Sequence, residues 1–252
     1  MKNKIALVTG GSRGLGKNMA LRLAGHGHDV IITYNSNKEA ADNVISEIGN
    51  LGQKAVALQF DSADFKSLDH FINHVKAALK NKFETGTFDF LINNAGIGAT
   101  IPFEQATEND FDKFMNIHFK SVYFLTQKVL PFINNNGRII NISSGSTRIS
   151  VPGYSIYASM KGAIETFTKY LAKEVGRKGI TANVVAPGPI ETDFNNASLR
   201  NNPERKTMIA SQAALGRVGQ AEDIGGVVAF LCSEDAGWIS GQRIEASGGM
   251  VL

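Results

Sequence analysis

The chain has 252 residues, of which 43% are hydrophobic, a size and content typical of one large α/β domain with a substantial core. Its 26 Lys and Arg residues nearly balance its 23 Asp and Glu residues, for a formal net charge of +3, and no basic run favours nucleic-acid binding. The single cysteine, Cys232, excludes an internal disulfide, is expected to be buried and fits a cytoplasmic protein. The first apolar run is too short for a signal peptide, and no run approaches the roughly 20 residues of a membrane span.

Short apolar runs alternate with amphipathic stretches from the amino terminus onward. The run Ile5–Val8, closed by Thr9-Gly10-Gly11, predicts a central strand that is buried on both faces. Further strands are predicted at 30–34, 55–60, 88–92, 138–142, 180–185 and 241–246. Helical spacing predicts helices at about 15–23, 37–51, 65–79, 111–132, 154–175 and 221–231. Residues 191–216 lose this periodicity and are predicted to form a mobile flap with short helices.

This alternation predicts an α/β fold with a doubly wound, Rossmann-type parallel sheet and helices on both faces. With no internal repeat or linker, residues 1–252 are expected to form a single dinucleotide-binding catalytic domain. Ligands of such sheets bind beyond the carboxyl ends of the strands. The glycine turn after the first strand and the segments after strands four, five and six all lie at that edge.

A glycine-rich turn, Thr9 to Gly16, joins the first strand to the first helix. Glycines there allow a pyrophosphate to approach the backbone N–H groups at the amino end of the helix. The alternative is a tight turn that needs glycine only for its positive φ angles. Its position between strand and helix favours a nucleotide site.

Two side chains in the helix predicted at 154–175 share one face. Tyr157 and Lys161 are four residues apart, so the ammonium could lower the pKa of the phenol and make it a usable proton donor. Ser144, at the tip of the fifth strand, would offer its hydroxyl to the same volume. Taken alone, the pair could equally be an amphipathic contact with the lysine in water.

The chain resembles the short-chain dehydrogenase/reductase family over essentially its whole length. The resemblance rests on the glycine turn, Asn93-Asn94-Ala95-Gly96, Asn116, Ser144, Tyr157-x-x-x-Lys161 and Pro187-Gly188, in family order and spacing. Within the family it is most similar to the 3-oxoacyl-carrier-protein reductases and the carbonyl reductases that look like them.

The resemblance implies a catalytic set of Asn116, Ser144, Tyr157 and Lys161. Ser144 would bind the substrate carbonyl, and Tyr157 would exchange a proton with its oxygen. Lys161 and the positive ring of the oxidised cofactor would favour phenolate. Lys161 would also hold the ribose hydroxyls, and Asn116 would place a water that connects the lysine to solvent.

Cofactor preference can be argued from charge at the end of the second strand. NAD-preferring relatives commonly have an Asp there, whereas this chain has Tyr34 followed by Asn35-Ser36-Asn37-Lys38. Arg13 in the glycine turn could reach a 2′-phosphate, which favours NADP(H) while leaving NAD(H) possible. The predicted cofactor contacts are Gly10, Ser12, Arg13, Gly14, Leu15, Gly16, Asn35, Ser36, Asp61, Ser62, Asn93, Ala95, Gly96, Tyr157, Lys161, Pro187, Gly188, Ile190 and Thr192. Asp61 could instead cap the following helical segment.

These features predict an NADPH-dependent reductase that converts a ketone or aldehyde to an alcohol. One alternative is the 3-oxoacyl-[acyl-carrier-protein] reductase of fatty-acid synthesis, although the segment 131–137 lacks the cations expected to meet an acidic carrier. Arg177 and Lys178 could still contribute to such a surface. A second alternative is a non-catalytic dinucleotide-binding regulator, which usually lacks the tyrosine or the lysine.

Several residues that could suggest a metal or ligand site are not assigned to one. His70 and His74 share a helix face but have no obvious third ligand, so no metal site is predicted. The flap cations Arg200, Arg205 and Lys206 are expected to face solvent. Four phenylalanines are expected in core or oligomer packing: Phe103, Phe111, Phe114 and Phe119. The family resemblance also implies a homotetramer acting on a small molecule, while the charge balance and the short apolar runs predict no nucleic-acid or membrane partner.

Overall fold

A computed structural model of the chain describes residues 3–197 and 199–252. Within these residues, seven strands form one parallel sheet in the order β3-β2-β1-β4-β5-β6-β7, with helices on both faces, which confirms the predicted doubly wound fold. The strands are β1 Ile5–Val8, β2 Asp29–Tyr34, β3 Ala55–Gln59, β4 Phe88–Asn93, β5 Ile133–Ile142, β6 Thr181–Pro187 and β7 Arg243–Ala246.

The strand order reverses direction between β1 and β4, which pair directly with each other. The connections after these two strands therefore leave the sheet on opposite faces and open a crevice at the carboxyl edge. The turn after β1 and the segment after β4 thus face each other across the crevice, where a ligand of such a sheet binds.

Helices cover both faces of the sheet because each presents an apolar stripe to it. One core lies under α1, α2 and α9, and the other lies under α3, α5 and α6. Cys232 is buried in the first core, as expected. The helices are α1 Gly14–Gly25, α2 Lys38–Asn50, α3 Leu68–Phe83, α4 Glu108–Met115, α5 Ser121–Val129, α6 Ser155–Val175, α7 Phe194–Ala197, α8 Pro203–Ala210 and α9 Ala221–Leu231.

The long helix predicted at 111–132 is interrupted at its centre. It begins earlier, where Thr107 and Asp110 form a capping box, and a π-helical turn at Asn116–Lys120 separates α4 from α5. Such a turn adds one residue to the helical repeat and rotates every side chain after it. This rotation decides which residues of the segment face the crevice.

Strand β5 is longer than the predicted 138–142 because Ile133 already pairs with Phe88. The register shifts after that pair, and Asn136 has a φ of 61°, a left-handed conformation that Asn tolerates better than most residues. The asparagine-rich segment is therefore an irregularity within the strand rather than a loop before it.

The predicted flap, residues 191–216, contains the two short helices α7 and α8, while Ser198 lies outside the described residues. Two of its three cations are paired with carboxylates at its base, since Lys206 is 2.7 Å from Glu191 and Arg200 is 2.8 Å from Asp193. Among the described residues, no helix is long and apolar enough to cross a membrane.

Candidate active site

A cleft of about 900 Å³ lies at the carboxyl edge of the sheet, within the range of small-ligand sites. Its walls come from the segments that follow β1, β2, β3, β4, β5 and β6, together with the flap. Every predicted site residue except Asn93 and Asn116 lines this cleft. Residues far apart in the sequence are therefore brought together as the strand topology predicts.

The glycine turn has a shape that other residues cannot adopt. Gly10 and Gly14 have φ angles of 65° and 54°. A Cβ on Gly16 would overlap the carbonyl oxygen of Gly10, so the start of α1 can approach the turn only without a side chain. This cradle leaves the first N–H groups of α1 beside the cleft, and it fits a pyrophosphate.

Hydrogen bonds join the turn after β1 to the end of β4. The Thr9 hydroxyl accepts from the backbone N–H groups of Asn94 and Ala95 at 2.9 and 3.0 Å, and the Asn94 amide donates to the Thr9 carbonyl at 2.9 Å. The two segments at the crevice are thereby held at a fixed separation. Asn94 lines the cleft, although the sequence prediction named its neighbour Asn93 instead.

The side chain of Asn93 points into the protein rather than toward the cleft. It is 4% exposed, and its amide donates to Thr126 at 3.0 Å and to Asn141 at 2.8 Å. Asn93 is the last residue of β4, where alternate side chains lie on opposite faces. Its side chain therefore joins β4 to β5 and α5 and is not placed to bind a cofactor.

The end of the cleft beside β2 carries the predicted determinants of cofactor preference. Tyr34 is buried, whereas Asn35 and Ser36 are exposed at the cleft wall. Arg13 precedes the first residue of α1 and is exposed on the same wall. Asp61 lies there too, and its carboxylate accepts from the Ala63 N–H at 2.8 Å, whereas the following helical turn is capped by Asp64.

Ser144, Tyr157 and Lys161 line the inner wall of the cleft together. Ser144 follows β5 and is hydrogen-bonded to the Tyr157 phenol, while its Oγ accepts from the N–H of Ser146 at 3.2 Å. Lys161, which is 6% exposed, donates from Nζ to the Ile142 carbonyl at 2.8 Å. Its Nζ lies 5.7 Å from the centroid of the Tyr157 ring. A hydroxyl, a phenol and an ammonium thus meet in one partly enclosed volume.

Burial controls the ionisation of these groups. It raises the pKa of the Tyr157 phenol to about 12, an effect that the hydrogen bond with Ser144 partly offsets. It also lowers the pKa of Lys161 to about 8. The pKa of Tyr157 is therefore raised, whereas the neighbouring lysine predicted that it would be lowered. The reason is that desolvation of the phenolate is the largest effect. A positively charged nicotinamide ring would act in the predicted direction.

Asn116 is not among the residues that line the cleft, and its predicted role of placing a water stays a prediction. It begins the π-helical turn, and its side chain is absent from the cleft wall, whereas Ile117 and His118 are present there. Asn116 and His118 are two positions apart in this turn, so their side chains point in different directions. His118 was not singled out from the sequence, although it lies one turn after the buried Phe114 and so belongs to the inward face.

The predicted nicotinamide end of the cleft is formed by the segment after β6. Pro187, Gly188, Ile190 and Thr192 line it, and a Cβ on Gly14 would lie 3.7 Å from the Cβ of Thr192. The flap therefore starts in contact range of the glycine turn.

An ion-pair network that the sequence did not reveal supports the segment after β5. Glu165 on α6 accepts from Ser143 at 2.7 Å, from Thr147 at 2.8 Å and from Arg243 Nε at 2.8 Å. Arg243 also donates to the Ser144 carbonyl at 3.3 Å. The backbone of Ser144 is thereby held from behind by charges on α6 and β7.

The network continues to the carboxyl-terminal segment. The Glu245 carboxylate accepts hydrogen bonds from Arg243 and from Nε and Nη2 of Arg148. Burial raises the pKa of Glu245, but these contacts outweigh it and lower the pKa to about 2. Arg148 also donates to the carbonyls of Met250 and Val251. The carboxyl-terminal residues are consequently tied to the loop that follows Ser144.

The histidines, phenylalanines and flap cations that were predicted to lie outside the site differ in their exposure. His70 and His74 are exposed, and the part of the chain that the structure describes has no cluster of His, Cys, Asp or Glu suited to a metal ion. Phe114 is buried, whereas Phe103 is 82% exposed. Arg205 differs from its prediction, because it is half-buried and lines the cleft rather than facing solvent.

Comparison with known proteins gives consistent matches across the chain. A family model described as Enoyl-(Acyl carrier protein) reductase matches residues 10–251. The hydroxynaphthalene reductase-like protein Arp2 of Metarhizium robertsii is 36% identical over 262 residues, which cover 100% of this chain and 96% of the relative.

Two solved structures have closely similar folds. The angucycline C-6 ketoreductase LanV with bound NADP has a TM-score of 0.94 and 36% identity, covering 99% of this chain and 96% of that chain. A short-chain dehydrogenase/reductase from Serratia marcescens has a TM-score of 0.91 and 33% identity, covering 100% of this chain and 99% of that chain. Both the similarity and the coverage extend over the whole described fold.

Proposed function

The chain belongs to the short-chain dehydrogenase/reductase family of NAD(P)-dependent oxidoreductases, and on that premise we propose that it is an NADPH-dependent reductase of hydrophobic ketones or aldehydes. The observation that carries the proposal is the convergence of Ser144, Tyr157 and Lys161 on one wall of the cleft that begins at the glycine turn. A proton donor and a hydrogen-bond donor thus lie beside a dinucleotide-shaped groove. The reaction is reversible.

The residues of the chain divide the work of carbonyl reduction. NADPH supplies the hydride when bound. The Ser144 hydroxyl donates a hydrogen bond to the carbonyl oxygen and orients it. The Tyr157 phenol, neutral because its pKa is about 12, gives its proton to that oxygen. Lys161 holds a positive charge beside the phenol and binds the ribose hydroxyls.

Preference for NADPH over NADH follows from the charges at the β2 end of the cleft. No carboxylate occurs between Tyr34 and Lys38 to repel a 2′-phosphate, and Arg13 is exposed on the same wall. The related ketoreductase LanV was solved with bound NADP. The glycine cradle holds the pyrophosphate, and Thr192 and the backbone of Ile190 contact the nicotinamide amide.

The substrate is a small hydrophobic carbonyl compound. The outer part of the cleft is lined mainly by apolar side chains: Ile149, Val151, Pro152, Tyr154, Phe194, Leu199, Met208, Ile209 and Met250. The names of two relatives specify a hydroxynaphthalene and an angucycline, which supports ring-containing ketones as the class to test first.

A carrier-protein substrate receives less support. The first cation after the segment 131–137 in the sequence is Arg138, which is 6% exposed and donates to the carbonyls of Asn136, Gly137 and Ser233. Its charge is therefore used inside the protein and is not presented to an acidic partner. A purely regulatory role also lacks support, because the tyrosine, the serine and the lysine are all present.

The proposed assembly is a homotetramer in the cytoplasm. Exposed aromatic side chains on the paired helices α4, α5 and α6 support it, among them Phe111 at 45% and Tyr170 at 69%. Trp238 is 99% exposed and offers a second apolar contact. Cytoplasmic location is compatible with the buried free thiol of Cys232. Sedimentation of a monomer at micromolar concentration would contradict the assembly.

The function is tested with purified protein, NADPH and a panel of ring-containing ketones that includes an acetoacetyl thioester. NADPH consumption is expected with at least one ketone. Tyr157→Phe should lower turnover by about 10²–10⁴-fold, the usual contribution of a general acid, while NADPH still binds. Full turnover by that variant would overturn the assignment.

A further inference from the structure

His118 lies deep in the active site without a role in the mechanism above. Its side chain is 1% exposed, and its ring lies edge-on to Tyr157 with centroids 5.2 Å apart. The Nε2 atom is 2.9 Å from the carbonyl oxygen of Ile97, in the segment after β4 that lines the cleft. The imidazole therefore touches both the proton donor and the opposite wall.

We propose that His118 is a positioning residue of the active site: a neutral imidazole, protonated on Nε2, that fixes the Ile97 backbone and the ring of Tyr157. The proposal rests on the reductase function proposed above and assigns one more residue to it. This task differs from the one predicted for Asn116, which was to place a water that connects Lys161 to solvent.

The hydrogen-bond geometry selects the tautomer. Nε2 is 2.9 Å from the Ile97 carbonyl and 3.3 Å from the Ile97 N–H, two contacts that need opposite roles for the same nitrogen. The shorter contact is the stronger one, so Nε2 carries the proton and donates. Nδ1 is then an unprotonated acceptor, and it is buried without a hydrogen-bond partner among the described residues.

The surroundings of the ring keep it neutral. Lys161 on α6 is the charged group that acts on it, while Tyr157 on the same helix is neutral. The other contacts, Phe114 on α4 and the backbone of Ile97, carry no charge. Burial and the charge of Lys161 both lower the pKa of His118 well below its ordinary value. A second cation at this point would compete with the ammonium beside the phenol.

The chain leaves room for the imidazole at Gly96. A Cβ on Gly96 would lie 2.8 Å from Cε1 and 3.2 Å from Nδ1 of His118, closer than ordinary contact. Gly96 lines the cleft, so the ring edge lies directly behind the cleft wall. A histidine that served only to fill the core would not need this gap at the ligand edge.

Two substitutions separate the hydrogen bond from the packing. His118→Gln keeps a neutral N–H donor at about the reach of Nε2, whereas His118→Leu keeps the approximate volume without a donor. His118→Leu should lower kcat about tenfold, the effect of losing one buried hydrogen bond, with a smaller change in the KM for NADPH. His118→Gln should retain kcat within about threefold at pH 7. His70→Gln, on the protein surface, is the matched control and should leave kcat unchanged.

A spectroscopic readout makes the test independent of turnover. In protein labelled with ¹⁵N-histidine, the signals missing from His118→Gln identify residue 118. They should report a neutral ring protonated on Nε2 at pH 7 that stays neutral at pH 6. A cationic ring or the Nδ1–H tautomer at pH 7 would overturn the proposal.

The outcomes distinguish this proposal from the proposed function. If the parent protein reduces no ketone but the predicted tautomer is found, the function fails and the ring assignment stands. If the parent is active and His118→Gln loses as much kcat as His118→Leu, the positioning role fails while the reductase function stands. Unchanged kcat in His118→Leu would also refute it.

Discussion

Reduction and oxidation by this chain should have opposite pH profiles that change slope at the same pH. Reduction needs a protonated Tyr157 beside a charged Lys161, whereas oxidation needs the pair after it has lost one proton. The first proton leaves at about pH 8, the pKa that burial gives to Lys161, because the phenol alone holds its proton to about 12. This is the first ionisation of the two groups, so both profiles report this single step.

The size of the effect follows from a one-proton titration. Between pH 6.5 and pH 8, kcat/KM for ketone reduction should stay nearly constant, and above pH 8 it should fall about tenfold per pH unit. Over the same range, kcat/KM for alcohol oxidation should rise about tenfold per unit and level off above pH 8. A lysine with its ordinary pKa would place the break more than two units higher.

The measurement is kcat/KM for both directions in one series of buffers at constant ionic strength, with the ketone and its alcohol. Lys161→Met removes the lower ionisation and should move the break above pH 9, at reduced activity. Tyr157→Phe is the control for proton transfer and should lose the oxidation slope. Parallel profiles in the two directions, or a break near pH 10 in the parent protein, would refute the reasoning.

Three further substitutions test other parts of the site. Arg13→Ala should raise the KM for NADPH about tenfold, the low end for an exposed charge-assisted contact, and leave that for NADH unchanged; equal kcat/KM for both cofactors in the parent would contradict this. Gly16→Ala should weaken NADPH binding at least about tenfold in a fluorescence titration, because the new Cβ overlaps the Gly10 carbonyl, whereas Gly25→Ala in the same helix has free space and should bind normally. Glu165→Gln should lower the free energy of unfolding in urea by about 1–3 kcal/mol, and it should also lower kcat because Ser144 loses its support. Glu174→Gln, at an exposed position of the same helix, should change neither quantity. Equal stability of the two variants would show that the network does not stabilise the protein.

The fold could be predicted from the sequence because its signals are local. The apolar run Ile5–Val8, the glycine turn after it and the helix of Tyr157 each depend on neighbouring residues, and their order dictates the sheet. The crevice then follows from the strand order. Ser144, Tyr157 and Lys161 could therefore be expected at one edge before any coordinate was known.

The direction of a side chain could not be predicted where it depends on an offset of one or two residues. Asn93 and Asn94 are adjacent, but the strand places the first between β4 and β5 and leaves the second at the cleft. Asn116 and His118 are separated in the same way by a π-helical turn that periodicity does not reveal. The Glu165–Arg243 pair joins residues 78 positions apart, a contact for which one sequence carries no signal.

The pKa of Tyr157 could not be predicted from its neighbour either. The spacing to Lys161 gives the sign of the charge interaction, but the extent of burial comes from α4, the segment after β4 and the flap. Desolvation proved larger than the effect of the lysine. The relative size of these two effects on the pKa of Tyr157 can therefore be obtained only from the structure.

The reversal of strand order between β1 and β4 has a consequence for how this enzyme can change over time. Arg13 and the β2 end lie on one side of the reversal, while Ser144 and Tyr157 lie on the other. Substitutions that do not share partners tend to have additive effects. Substitutions at Arg13 and the β2 end could therefore change the preference between NADPH and NADH. Substitutions in the flap could change which carbonyl compounds are accepted. Neither change would require a change in the proton-transfer residues.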